Sequence, residues 1–395
     1  MVNGIGIELP SVVTMPWNAK DTMNLREEFV LLAQQEGANR RELCRRFGIS
    51  PPTAYKWLAR YAAEGQAGLL DRSRRPRHSP RLTSAEVETA VIDLRTSHPA
   101  WGGRKLSRRL QDLGLPELAP STVTRILHRH QLITPERSEA ATPWRRFEHA
   151  EPNDLWQMDF KGHFPTSTGP CHPLTVLDDH SRFNLALRAC AEQRGRTVQA
   201  HLTDLFRCYG LPVRINTDNG APWGSPRQPG QLSELAIWLI RLGIRIGFSR
   251  PRHPQTNGKD ERFHRSLKAE VLNGRSFHSP QEAQLAFDRW RQVYNQQRPH
   301  EALQMATPIT RYRVSPRAYP ERLPALEYGP DDTVVTVKAL GMIVFQGRRF
   351  KVSTPLRGLP VAIRPAPDTD GLFDLYFAHH KLMRINLRTK PTSTP

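Results

Sequence analysis

Three acidic residues, Asp159, Asp218 and Glu261, stand apart from ordinary surface charge in this 395-residue chain. Asp159 lies in LWQMDFK, where Trp156, Met158 and Phe160 alternate with Gln157, Asp159 and Lys161, the period of a half-buried strand. That alternation aims the carboxylate away from the apolar face. Asp218 closes the apolar run LPVRINTD and precedes Asn219-Gly220, which places it at a strand end where the chain turns out of a sheet. Glu261 follows the Asn257-Gly258 break, at the start of a helical pattern carried by Phe263, Leu267 and Val271, where a carboxylate suits the positive end of the helix. Two strand carboxylates and one helix carboxylate that converge cannot all stay ionised cheaply without a cation. Mg²⁺ or Mn²⁺ fits: such hard ions prefer oxygen ligands, and a pair of them clamps the attacking and leaving oxygens of a phosphodiester displacement. The plain alternative for any single acid is a solvated surface charge.

The segments around these acids are WQMDF, LTVLDDHSRF at 174–183, NTDNG and SRPRHPQTNGKDERFHRSLKAE at 249–270. Together they resemble the DDE transposase and integrase superfamily, most closely insertion-sequence transposases of the IS481 type, with the IS3 group and retroviral integrases further off. The resemblance implies that Asp159, Asp218 and Glu261 are the catalytic triad and hold two divalent ions. Forty-two residues separate Asp218 from Glu261, a longer spacing than in retroviral integrases, and the insert PWGSPRQPGQLSELA accounts for the excess. Such a loop costs little closure entropy. Asp260 is the other acid in the third segment, and the motif favours Glu261 over it. Asp178 and Asp179 read as turn and cap acids beside Ser181 and Arg182.

The net charge of +19, from 57 Lys and Arg against 38 Asp and Glu, attracts phosphate backbones. On the helix of Glu261, His264, Arg265 and Lys268 follow at i+3, i+4 and i+7 and are candidates to grip phosphates. No apolar run approaches the length of a membrane span, and the first 20 residues lack a signal-peptide pattern. The four cysteines, at 44, 171, 190 and 208, form no CxxC pair, so neither a disulfide framework nor a zinc site is expected, His128 and His130 included. The cysteine usage suits a reducing compartment, and the resemblance implies a bacterial cytoplasm, at the nucleoid.

The N-terminal third reads as two helical DNA readers. After an N-terminal segment (1–22) expected to be disordered, residues 23–70 carry helix-turn-helix grammar: Gly48 ends one helix, then Ser50 caps and Pro51 begins the next. Thr53, Tyr55, Lys56 and Arg60 are the candidate base and phosphate contacts, with Trp57 and Leu58 in the core. The linker 71–81, with Arg72, Arg74 and Arg75, reads either as a basic arm for a minor groove or as a plain solvated linker. Residues 82–134 repeat the order, with a capping box at Thr83 and Glu86, and Thr122, Thr124, Arg125 and Arg129 exposed on a helix capped by Pro120-Ser121.

After a linker (135–152), residues 153–320 alternate strands and helices as a mixed sheet flanked by helices; the resemblance makes this a ribonuclease H-like domain. Short strands at 331–390 suggest a small SH3-like β-barrel.

The expected protein is therefore a multidomain DNA transposase: two all-α helix-turn-helix domains, an α/β catalytic domain and a C-terminal barrel. It would bind the terminal inverted repeats of its element as double-stranded DNA and join their 3′ ends to target DNA, as at least a homodimer. The rival readings are a ribonuclease H-type nuclease, a domesticated DNA-binding regulator and a structural nucleoid protein.

Overall fold

The computed structural model describes residues 22–72, 83–133, 148–224, 232–248, 258–367 and 370–388. Arg74, Arg75, the 1–21 segment and most of the 135–152 linker lie outside them. The chain divides into two units, Met1–Leu82 and Thr83–Pro395.

The first unit is the expected three-helix reader. Helices α1 (Thr22–Ala33), α2 (Arg40–Arg46) and α3 (Pro51–Glu64) start where the caps place them: Asn39 Oδ1 accepts from Glu42 N at 3.2 Å and Ser50 Oγ from Thr53 N at 3.4 Å. Between α2 and α3, Gly48 turns the chain at φ +62°, where a Cβ is disfavoured. Phe29, Val30, Ala33, Cys44, Ala54, Trp57 and Leu69 form the core.

The second unit begins with another three-helix reader, α4 (Ala85–Ser97), α5 (Gly103–Asp112) and α6 (Pro120–Arg129). Its first cap is Ser84, whose hydroxyl accepts from Val87 N, one residue beyond the expected Thr83. Gly103 lets α5 and α6 touch: a Cβ there would lie 2.4 Å from Thr124 Oγ1 and 2.8 Å from Pro120 O.

A six-stranded mixed sheet follows, from β1 (Leu155–Phe160), β2 (Phe164–Thr166), β3 (Gly169–Asp178), β4 (Asn184–Cys190), β5 (Arg214–Thr217) and β6 (Arg245–Phe248). β1 lies between antiparallel β3 and parallel β5; β4 extends the antiparallel side and β6 the parallel side. This strand order is that of a ribonuclease H-like domain. One face carries Trp156, Met158, Leu174 and Val176 and packs on α7 (Gly195–Tyr209) and α8 (Glu234–Arg241). The opposite face carries Leu177 and Leu187 and receives α9 (Gly258–Leu267) and α10 (Pro280–Gln296) through Phe263, Leu267, Phe287 and Tyr294. Phe263 is the wedge, 4.8 Å from the Tyr294 ring and 5.2 Å from that of Trp290.

Beyond residue 331, β7 (Thr333–Thr336), β10 (Pro360–Pro365), β11 (Leu372–Phe377) and β12 (His380–Asn386) form a four-stranded antiparallel sheet, and β8 (Met342–Phe345) pairs only with β9 (Arg348–Lys351). The expected barrel is thus resolved as a sheet and a hairpin that share a core without closing by ladder hydrogen bonds among the described residues. Short, evenly spaced strands specify pairing between neighbours and leave closure to long-range packing. That core also takes Ala236, Ile237 and Ile240 of α8, while Leu235, Trp238 and Leu239 face the catalytic sheet. A helix buried on both sides is apolar all round, as ELAIWLIR is.

Candidate active site

Strand register brings the first two acids together. Gln157 pairs with Asn216 across parallel β1 and β5; two residues further along each chain stand Asp159 and Asp218. Asp159 is also opposite Thr175 of β3, so its side chain projects on the α9 face, away from Met158 and Phe160. Asp218 is exposed, just past the end of β5, where its Oδ1 accepts from Gly220 N at 3.0 Å in the turn that Asn219-Gly220 makes. Glu261 sits exposed in the first turn of α9. The electrostatics link the three: burial, then Asp218 and then Glu261 push the Asp159 carboxyl up to about 7.

Asp260 occupies a different place from its neighbour. It is 1% exposed, and both of its carboxylate oxygens lack a hydrogen-bond partner. Burial, with Asp159, Asp179 and Glu261 around it, raises this carboxyl well above the usual range. Among the described residues no three His, Cys, Asp or Glu side chains already stand at ligating distance from one point. An orphaned buried carboxylate beside Asp159, with only oxygen donors in the set, nevertheless fits a hard divalent cation.

The flanking acids are structural. Asp178 accepts from Asn153 N at 2.7 Å, from Ser181 N at 2.8 Å and from Ser181 Oγ at 2.6 Å. Asp179 accepts from Gln157 Nε2 and His149 N and pairs with Lys259. Lys259 thereby ties the start of α9 to the sheet, a role that a surface-like lysine in NGKDE does not advertise. Lys161, two residues past Asp159, is another cation absent from the sequence reading; burial and Lys268 lower its pKa.

Several proposed DNA contacts turn elsewhere. His264 faces the sheet, its Nε2 2.9 Å from Thr175 Oγ1, and burial followed by Lys161 lowers its pKa to about 4. It is neutral at physiological pH and is not a phosphate grip; the helical wheel put it near Glu261, but the period also lets i+3 reach the buried side. Because the folded pKa lies below the unfolded value, the native state binds fewer protons between about pH 4 and 6.5, and stability falls as pH drops through that window. His264→Gln is expected to remove about 2–3 kcal/mol of that dependence, read from urea midpoints at pH 4.5 and 7.

Thr124 is likewise not free, since its hydroxyl donates to Pro120 O at 2.8 Å and it packs on Gly103. Arg129 is held by Glu88 at 2.6 Å, which also takes His130. Arg72 pairs with Glu64. Thr53 shares a hydroxyl contact with Ser50, and Lys56 and Arg60 lie 4.5 and 5.1 Å over the Trp57 ring. Thr122 is half-buried; Tyr55, Lys56, Arg125, Arg265 and Lys268 are exposed.

A junction behind α9 was also invisible in sequence. The second reader docks there: Arg109 Nη2 donates to Gln297 Oε1 at 3.2 Å, and Val293 of α10 packs on the reader core. Lys105, Glu270 and Arg298 meet in this contact. Arg298 donates to Ser266 Oγ of α9 at 3.0 Å, and Glu270 Oε2 accepts from Trp290 Nε1 at 2.7 Å. Burial, then Arg298 and Arg262, lowers Lys105 to about 7. Glu270 stands on a π-turn, Lys268–Leu272, that continues α9.

Comparison with known proteins agrees part by part. A helix-turn-helix domain matches residues 25–77 and a homeodomain-like domain 53–127. Integrase core domains match 149–254 and 242–308, the segments that carry all three acids. The C-terminal domain of the IS481 family transposases matches 332–393. Part by part, the chain is similar to an IS481-family transposase. Among its relatives, an uncharacterised 39.2 kDa protein of insertion element IS476 from Xanthomonas euvesicatoria is 29% identical over 57% of this chain and 65% of its own length. An uncharacterised 31.7 kDa protein of insertion element IS407 from Burkholderia multivorans is 27% identical over 46% of this chain and 60% of its own length. A simian foamy virus type 3 Pro-Pol polyprotein is 32% identical over 35% of this chain, which spans 11% of the polyprotein. The chain thus spans just under two thirds of the insertion-element relatives. Among the described residues of this chain, no helix is long and apolar enough to cross a membrane.

Proposed function

We propose that this chain cuts and joins DNA strands at the ends of its own insertion element, with Asp159, Asp218 and Glu261 as a divalent-metal site. The observation that carries the reading is the register that sets Asp159 and Asp218 level on the sheet face that α9 covers. Their oxygens, with those of Glu261, would hold Mg²⁺ or Mn²⁺, two ions per site. Such ions, when bound, make a strong oxygen nucleophile at neutral pH and neutralise the leaving oxygen. The chain's part is to hold the scissile phosphate against these acids: Arg265 and Lys268, exposed on the helix of Glu261, are placed to pair with its flanking phosphates.

The readers at 23–70 and 82–134 select the terminal inverted repeats. Tyr55, Lys56 and Arg125 are the contacts best exposed for it. We read the hairpin β8–β9 and the four-stranded sheet, which share one core, as an open form of the small SH3-like barrel at 331–390. Both element ends must be held at once, so the active complex is at least a homodimer on double-stranded DNA.

The test is incubation of the purified full chain with labelled element-end DNA, a target plasmid and Mg²⁺ or Mn²⁺, compared with Glu261→Gln. Metal-dependent nicking and joining, lost in the variant while DNA binding persists, is the expected result. Absence of both activities in the unaltered protein would sink the enzyme reading, and a fully active variant would sink the glutamate assignment.

A further inference from the structure

We infer that Asp260 is a fourth carboxylate of the metal site, supplying an oxygen to the same cation as Asp159 from beneath it. This rests on the active-site reading above and goes beyond the three acids that reading uses.

The geometry of α9 fixes where Asp260 points. His264, one turn later on the same helical face, is 2.9 Å from Thr175 Oγ1, and that hydroxyl donates to the backbone carbonyl of Asp159 at 3.1 Å. Lys259, one residue earlier, reaches Asp179, which also holds Gln157, the residue two before Asp159 on the same face of β1. Asp260, between Lys259 and His264 on α9, is therefore turned toward the sheet face on which Asp159 projects, with Asp159 and Asp179 near it. It is 1% exposed and neither oxygen has a partner.

The neighbouring buried acids are satisfied by donors: Asp178 by Asn153 and Ser181, and Asp179 by Gln157, His149 and Lys259. A buried polar group left unpaired is costly. A shape-matched apolar side chain would pack there at no such cost. A cation shared with Asp159 would satisfy both oxygens and relieve the crowding of carboxylates, which no nearby donor does.

The experiment uses the full chain without DNA and reads Mn²⁺ directly, by titration with electron paramagnetic resonance, and thermal stability with and without the ion. Asp260→Asn is expected to weaken Mn²⁺ at least tenfold, within the roughly 10–100-fold range of residues that support a metal site. It should also raise the melting temperature of the metal-free protein, since it removes a crowded carboxylate while keeping the shape. The rise in melting temperature on adding Mn²⁺ should shrink to match.

Unchanged Mn²⁺ affinity in Asp260→Asn would overturn the inference and leave the active-site reading intact, provided Asp159→Asn in parallel loses the ion. If Asp159→Asn also binds Mn²⁺ as the parent does, both fall. Should the Asn variant fail to fold by circular dichroism, Asp260→Ala is read by the same two measurements and the same outcomes apply.

Discussion

Asp159→Asn is expected to lower metal-dependent strand cleavage by at least about a thousandfold while leaving binding of element-end DNA within about twofold. In the proposed metal site, removing the charge from this carboxylate forfeits several kcal/mol of stabilisation at the reacting phosphate, and each 1.36 kcal/mol is a factor of ten. Binding survives because the readers, in other parts of the chain, carry it. Asp218→Asn should do the same, although Asp218 is exposed and Asp159 half-buried, because the proposed site makes both part of one ion-holding unit. The double variant should then be little worse than either single one, since residues that act together are not additive. The check is a nicking assay at saturating Mg²⁺ with a gel-shift on the same preparations. Additive losses in the double variant, or loss of binding alongside cleavage, would mean that the two aspartates do not share one site.

What could be read without coordinates was whatever local chemistry dictates. The alternation in LWQMDF predicts a strand with Trp156 and Met158 on one face and Asp159 on the other, and β1 has that division, although α9 and α10 cover the second face too and bury Gln157. Caps are equally local: Asn39, Ser50 and Pro120 begin helices because their side chains or ring suit a first turn. The difference between Asp260 and Glu261 is not local. Adjacent residues on a helix point about 100° apart, and only the angle at which α9 lies on the sheet decides that one acid is buried and its neighbour exposed. The same holds for Thr124, whose exposure depended on how closely Gly103 lets α5 approach. His264 looked like a phosphate contact because the helix period alone does not say which flank of the stripe meets β3. Lys105, Glu270 and Arg298 are distant in sequence and polar, so nothing in composition foretold that they would be buried together.

That buried meeting point sets the second large effect. Trp101→Ala is expected to destabilise the second unit by about 3–5 kcal/mol, the cost of truncating a fully buried aromatic. The side chain is 0% exposed, within a core formed by Val91, Leu106, Leu110, Val123, Ile126 and Leu127. His98 stacks on it at 4.0 Å with rings 12° apart, and Val293 of α10 closes the cluster from the catalytic domain. The loss therefore strikes the second reader and its seat behind α9 together. Trp101→Phe separates two contributions. The indole Nε1 has no hydrogen-bond partner among the described residues. Keeping most of the ring and dropping the N–H should cost under about 1.5 kcal/mol. Urea unfolding followed by far-ultraviolet circular dichroism gives both numbers. A Trp101→Ala loss below about 1 kcal/mol would mean that the reader does not stay seated on α10 in solution. The full loss with a mild Phe variant would place the energy of the seat in packing, with Lys105, Glu270 and Arg298 fixing how the reader is oriented behind the helix that carries Glu261.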